Sequence, residues 1–202
     1  KEFPSPFTRS GYGIDGMVKP DVVELGGDDV FDRAGGGRDP GAGVPMTARD
    51  FAPPTGSLFR TDAGTSFATP AVAHLAARLF DRFPSASSNL IRALIADSAR
   101  IPAERPEGMK GSPWDEKPLR VYGYGRPSYE RAAFSDQNEV LLLAENEVPL
   151  DHYHLYTIPA LPDEFFETRG SRYLSVTLAH DPPTREGTRT LASPWSSIFS
   201  GT

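Results

Sequence analysis

The stretch Gly64-Thr65-Ser66-Phe67-Ala68-Thr69-Pro70-Ala71-Val72-Ala73-His74-Leu75 decides how the chain is read. From Gly64 onward, apolar residues fall at Ala68, Ala71, Val72, Leu75, Ala76, Leu79, Phe80 and Phe83. Spacing of three and four is the mark of a helix with one buried stripe. Pro70 is read as lying in the first turn, where its missing N–H would be unpaired anyway, and Pro84 ends the helix. Much of the stripe is alanine, so the helix is expected to pack closely and to lie well inside its domain. Ser66 stands at its head, where unpaired N–H groups and the positive end of the helix dipole converge. Such a position can stabilise an acyl-transfer oxyanion. An ordinary N-cap serine occupies it equally well, so position alone leaves both readings open.

Downstream, Ser88 reads as the N-cap of a second helix with Leu90, Ile91, Leu94 and Ile95 on one face, ending near Ala99. Residues 102–120 read as a Pro/Gly/charged loop. Tyr122-Gly123-Tyr124-Gly125-Arg126-Pro127 is a turn leading into a short helix at about 128–134. After Phe134 the period changes to two. Residues 139–144, 151–158 and 172–179 read as strands of a small all-β, antiparallel, sandwich-like unit over 135–202. Upstream, Asp21-Val22-Val23-Glu24-Leu25 suggests a strand stopped by Gly26-Gly27. Residues 34–57 form a long Gly/Pro loop whose far end Phe51 and Phe59 would tether.

The heptapeptide Gly64–Pro70 at the head of an alanine-rich helix resembles the nucleophile motif of the subtilisin-like serine proteases. Ser5-Pro6-Phe7-Thr8-Arg9-Ser10-Gly11 and Lys19-Pro20-Asp21-Val22-Val23 resemble the passage that precedes the serine in that family. The helix at 88–99 and Tyr124-Gly125-Arg126-Pro127 resemble its closing helix and final turn. The resemblance covers residues 4–134. It implies an α/β fold, the C-terminal part of a subtilisin-like domain with a parallel sheet and packed helices over 1–134. An accessory β-rich domain follows over 135–202. A serine endopeptidase acting on polypeptide substrates is implied, with Ser66 as nucleophile and backbone oxyanion donor, Thr65 in support and Gly64 at the substrate. The Gly-x-Ser-x-Gly motif of other hydrolases fails because residue 68 is Ala. Where the family has Ala-Pro-Gly, this chain has Glu24-Leu25-Gly26-Gly27, and 34–57 reads as an insertion near the site.

A serine nucleophile needs a base, and the base an orienting carboxylate. The family's order places both upstream of the serine, yet the four histidines are His74, His152, His154 and His180, and no Asn precedes Asn89. His74 lies eight residues along the serine's own helix, ~12 Å along the axis. The chain alone is therefore expected to be inactive. Its partner would be the missing N-terminal half of the peptidase domain, or another copy through self-association. The alternative is a non-catalytic scaffold whose β unit binds a protein. A different hydrolase would need His152, His154 or His180 beside Ser66.

Composition excludes other classes. No cysteine is present, so disulfides, thiolate metal sites and a cysteine nucleophile are ruled out. His152 and His154 share a strand face and would need Asp151 or Glu147 plus a further ligand to hold a metal. Asp28, Asp29 and Asp32 read as a solvated loop; calcium is possible by family resemblance, with no assignable site. Lys and Arg balance Asp and Glu over 1–134, 17 against 17, so the whole net charge of −6 lies in 135–202. No basic stripe for nucleic acid exists. No apolar run approaches the ~20 residues of a membrane span, and the compartment is unreadable.

Overall fold

The structure, a computed structural model, describes residues 3–13, 16–32, 34, 37–49, 56–136, 139–149, 151–158, 161, 163–167, 170, 174–181 and 199–201. Its centre is helical. Helix α1 (Thr65–Arg82) is followed by α2 (Ser88–Ser98), α3 (Glu116–Tyr122) and α4 (Tyr129–Ala133). The expected spacing holds: Leu75 and Leu79 of α1 meet Ile91 and Leu94 of α2 and Ala132 and Ala133 of α4 in one buried cluster. Phe83, Leu90, Ile95 and Tyr129 close its rim, and Leu141 packs on it from beyond α4.

Helix ends follow capping chemistry. Ser87, one residue before the expected cap, accepts from Leu90 N–H at 3.2 Å and starts α2. Ser128 accepts from Arg131 N–H at 3.4 Å and starts α4. Pro70 corrects the sequence reading. It lies at the sixth position of α1 rather than in the first turn, so the Ser66 carbonyl loses the donor that residue 70 would have supplied. Helix α3 falls within the segment expected to be loop, its Pro118 sitting in the first turn, where proline is tolerated.

The turn after α3 is wedged between two upstream segments. Tyr124 N–H donates to the Asp21 carbonyl at 2.9 Å, and Gly125 accepts from Val23 N–H at 3.0 Å. Arg126 and Arg100 exchange backbone bonds of 2.9 and 3.0 Å on the other side. A Cβ at Gly125, whose φ is +107°, would overlap the Arg100 backbone, so glycine is required for this close approach. Residues 21–25 carry these bonds without forming the strand expected there.

Strands are short and antiparallel. β1 (Val30–Asp32) pairs with β2 (Gly37–Asp39). β3 (Val44–Thr47) pairs with β4 (Phe59–Asp62), Val44 opposite Asp62. The expected loop at 34–57 is thus partly built into hairpins. Phe59 tethers nothing, being 67% exposed, and Phe51 lies outside the described residues. The parallel sheet implied by the resemblance is not among the described strands, each of which belongs to a two-stranded antiparallel unit.

The expected β-sandwich over 135–202 is likewise not seen among the described residues. Residues 139–144 and 151–158 form no strand. From 172–179 only β5 (Leu174–Val176) emerges, paired with β6 (Phe199–Gly201). A short helix, α5 (Asp163–Glu167), precedes β5. Period-two alternation specifies a two-faced extended chain; it does not specify the strand that must hydrogen-bond to it. Among the described residues, Leu141 packs on the core and the later segments are tied to it by polar contacts. Ser175 and Thr177 hydroxyls donate to Asp97 at 3.1 and 2.8 Å, and Asp181 pairs with Arg92 at 3.3 Å.

Candidate active site

Strand β4 delivers the chain to the head of α1, with Ala63 and Gly64 between them. Gly64 is the N-cap and, having no side chain, leaves the first turn uncapped; no acidic residue occupies that turn either. Gly64 N–H donates to the Gly26 carbonyl at 2.8 Å. A Cβ on Gly26 would stand 2.6 Å from the Gly64 carbonyl oxygen. Ser5 Oγ in turn donates to the Gly27 carbonyl at 2.8 Å. The Gly26-Gly27 segment, where the chain departs from the family pattern, is thus the brace that fixes the start of α1. Glu24 of the same departure pairs with Arg126 at 2.7 Å, tying this brace to the turn after α3.

Ser66 is the second residue of α1 and is exposed, as is Thr65. Among the described residues, no side chain is hydrogen-bonded to Ser66 Oγ, and the N–H groups of Thr65 and Ser66 have no partner. Two free N–H groups at the positive end of an 18-residue helix form a local field that favours a developing oxyanion. Thr65 contributes its carbonyl to Thr69 Oγ1 at 3.0 Å, which steadies the turn and does not touch Ser66 Oγ.

The histidines do not supply a base in this arrangement. His74 is exposed on α1 and lines a basin of about 680 Å³ with Arg78, Arg100, Arg126, Tyr129 and Arg131. At 100° per residue, that wall of α1 points away from Ser66. The basin is a structural seam: Arg78 lies 3.5 Å over the Tyr129 ring, Arg100 bonds Glu139 at 2.9 Å, and Arg131 donates to the Ser98 carbonyl at 2.9 Å. Among the described residues, none of His152, His154 and His180 is hydrogen-bonded to Ser66, and His154 stacks on Tyr156 at 5.3 Å. Among the described residues, no three His, Asp or Glu side chains converge as a metal site would require.

The model of the subtilase family, Peptidase_S8, matches residues 2–125. The chain belongs to the subtilase family. At 43% identity over 189 residues it is also similar to an uncharacterized protein, y4bN, of Sinorhizobium fredii. That alignment takes in 90% of this chain and 42% of the relative, so the chain spans less than half the length of the curated relative it matches. No solved structure matches it significantly.

The family match ends at residue 125, within the turn after α3. The subtilase head of α1 and its Gly26 brace are inside it, and the segments from 139 onward are outside. Sequence reasoning singled out Ser66 and did not single out Gly26 or Glu24, which brace the head of α1 on which it stands. Their departure from the family pattern was the available signal.

Proposed function

We propose that this chain carries the nucleophile of a subtilisin-like serine endopeptidase and is inactive by itself. The observation that supports this reading is the exposed Ser66 at an uncapped helix head within the subtilase match. In the complete enzyme, Ser66 Oγ attacks the scissile carbonyl while its proton passes to a histidine base outside this chain. The carbonyl oxygen, now negative, is held by the Ser66 N–H. Collapse expels the amine with the proton from the base, and water then cleaves the acyl ester. Gly64, lacking a side chain, leaves room for the substrate backbone.

The face of α1 that carries Ser66 supports a place for the proposed base-bearing polypeptide to pack. At 100° per residue, Ser66, Pro70, Ala73, Ala77 and Phe80 fall within one stripe, opposite the buried Leu75 and Leu79. All five are exposed. A polypeptide covering this small-residue stripe would complete the domain and approach Ser66 from the same side.

A fluorophosphonate probe tests the reading. The isolated chain is expected to remain unlabelled, and the longer protein to be labelled stoichiometrically, with labelling lost on Ser66→Ala. Labelling of the isolated chain would refute the incomplete site. An unlabelled longer protein would favour the second reading, a non-catalytic scaffold, which the lack of a base beside Ser66 among the described residues also supports.

A further inference from the structure

The basin beside His74 is walled by three segments. Ala71, His74, Leu75 and Arg78 are one face of α1, residues 100–103 follow α2, and residues 126–131 run from the turn after α3 into α4. Its volume of about 680 Å³ lies within the roughly 300–1,000 Å³ that small ligands occupy. Two of the walls are stitched together. Arg100 and Arg126 exchange backbone bonds of 3.0 and 2.9 Å, and Ser128 N–H donates to Ser98 Oγ at 3.3 Å. Arg131 Nε–H donates to the Ser98 carbonyl at 2.9 Å. The third wall, α1, is fixed through Leu75 in the cluster with Ala132 and Ala133. A concavity held in this way needs little ordering when a ligand enters.

Charge in the basin is not balanced. Four guanidiniums line it, those of Arg78, Arg100, Arg126 and Arg131. Arg100 is paired with Glu139 at 2.9 Å and Arg126 with Glu24 at 2.7 Å. Glu130 is the sole carboxylate among the lining residues, and it accepts from Ser128 Oγ at 3.1 Å. Its carboxyl is held below the usual range first by a backbone N–H and then by Ser128, with lesser pulls from Arg78 and Arg131. Among the described residues, neither of these two arginines forms an ion pair. Arg78 stacks on the Tyr129 ring, 3.5 Å from its centroid, and makes no hydrogen bond. Arg131 bonds only through Nε. Most of the five donors of each fork are therefore open. Four cations against three carboxylates leave one positive charge in surplus.

An apolar surface accompanies this charge. Ala71, Leu75, Ile101, Pro102 and Pro127 line the same basin. A monoanion with an apolar body matches both features, whereas a phosphate would leave the apolar surface uncovered. The planar guanidinium fork also suits the two oxygens of a carboxylate. We propose that this basin binds a carboxylate carried on an apolar body, either a small organic acid or the C-terminal residue of a peptide, through Arg78 and Arg131. His74 stands eight residues along α1 from Ser66, and no part of the basin is built from the serine. The proposal therefore does not rest on the chemistry of Ser66.

The test titrates the whole chain calorimetrically with four probes. They are 4-methylpentanoate, acetyl-Ala-Ala-Leu with a free C-terminus, the same peptide as its C-terminal amide, and inorganic phosphate. At least one of the two carboxylates is expected to bind saturably, about tenfold or more tightly than the amide or phosphate. The tighter of the two identifies the source of the carboxylate. Arg78→Gln removes an exposed cation that makes no hydrogen bond. It is expected to weaken that binding about tenfold or more, with the helical circular dichroism unchanged. Ala103→Trp fills the basin while every charge stays in place, and should abolish binding. Arg60→Gln, on β4 and outside the basin, should leave it unchanged. The proposal is overturned by no saturable binding, by equal binding of the amide or of phosphate, or by native affinity in Arg78→Gln or Ala103→Trp.

Discussion

Tyr124 shows how a single residue ties the turn after α3 to the upstream segment. Burial, and then the neighbouring carboxylate of Asp21, push its phenol above the ordinary value of 10.0. The folded chain thus holds this proton to a higher pH than the unfolded chain does. Its contribution to stability is fully present below the unfolded value of about 10 and is lost as pH rises from there through the raised folded value. Urea unfolding of the native chain and of Tyr124→Phe should give stabilities separated by a constant offset up to about pH 10. Above it the native chain should lose stability faster. Parallel curves up to pH 11 would mean that Tyr124 titrates as freely as an exposed tyrosine. At the same scale, Arg105 is a buried cation satisfied by three carbonyls, those of Pro102, Met109 and Gly111, at 2.8 to 2.9 Å. It organises the loop between α2 and α3 without an ion pair being needed.

Among the elements, α1 carries both core residues and Ser66, the proposed nucleophile, on separate faces. Leu79 is fully buried against α2 and α4. Truncation of a buried leucine removes transfer energy and leaves a cavity, so Leu79→Ala should cost about 2–5 kcal/mol. Chemical denaturation would read it, and a cost under about 1 kcal/mol would show that the cluster collapses around the gap. Helices α1, α2 and α4 were legible because their signals are local: a stripe every three or four residues, a serine cap, a proline stop. Helix α3 was not, because Pro118 and the charges around it resemble loop composition although proline fits a first turn. Hairpin β3–β4 was hidden inside Gly/Pro-rich sequence, since pairing Val44 with Asp62 is a property of two segments and not of either one. Of the site, Ser66 was legible from its heptapeptide and helix head. The Gly26 brace was not, because its contact with Gly64 arises from packing across 38 positions. The base was not legible for a plainer reason: no histidine precedes Ser66 in this chain.

At the scale of the whole molecule, the core is small and lies on one side of α1. The other side, with Pro70, Ala73, Ala77 and Phe80, faces water. Exposed small residues allow a close approach by another backbone, and Phe80 adds apolar area at the far end. Residues 1–134 carry no net charge, so net charge does not drive two such faces apart. A stripe of this kind associates when the polypeptide that should cover it is absent. The isolated chain should therefore show a mass above the monomer by light scattering, rising with concentration. Phe80→Glu places a charge within a contact made along this stripe and should shift the chain toward monomer without loss of helix, because residue 80 faces away from the Leu79 cluster. Co-expression with the proposed base-bearing polypeptide should have the same effect by covering the stripe. A native chain that stays monomeric at high concentration would show that the Ser66 face of α1 is a finished surface, and the base would then have to reach Ser66 without packing along this helix.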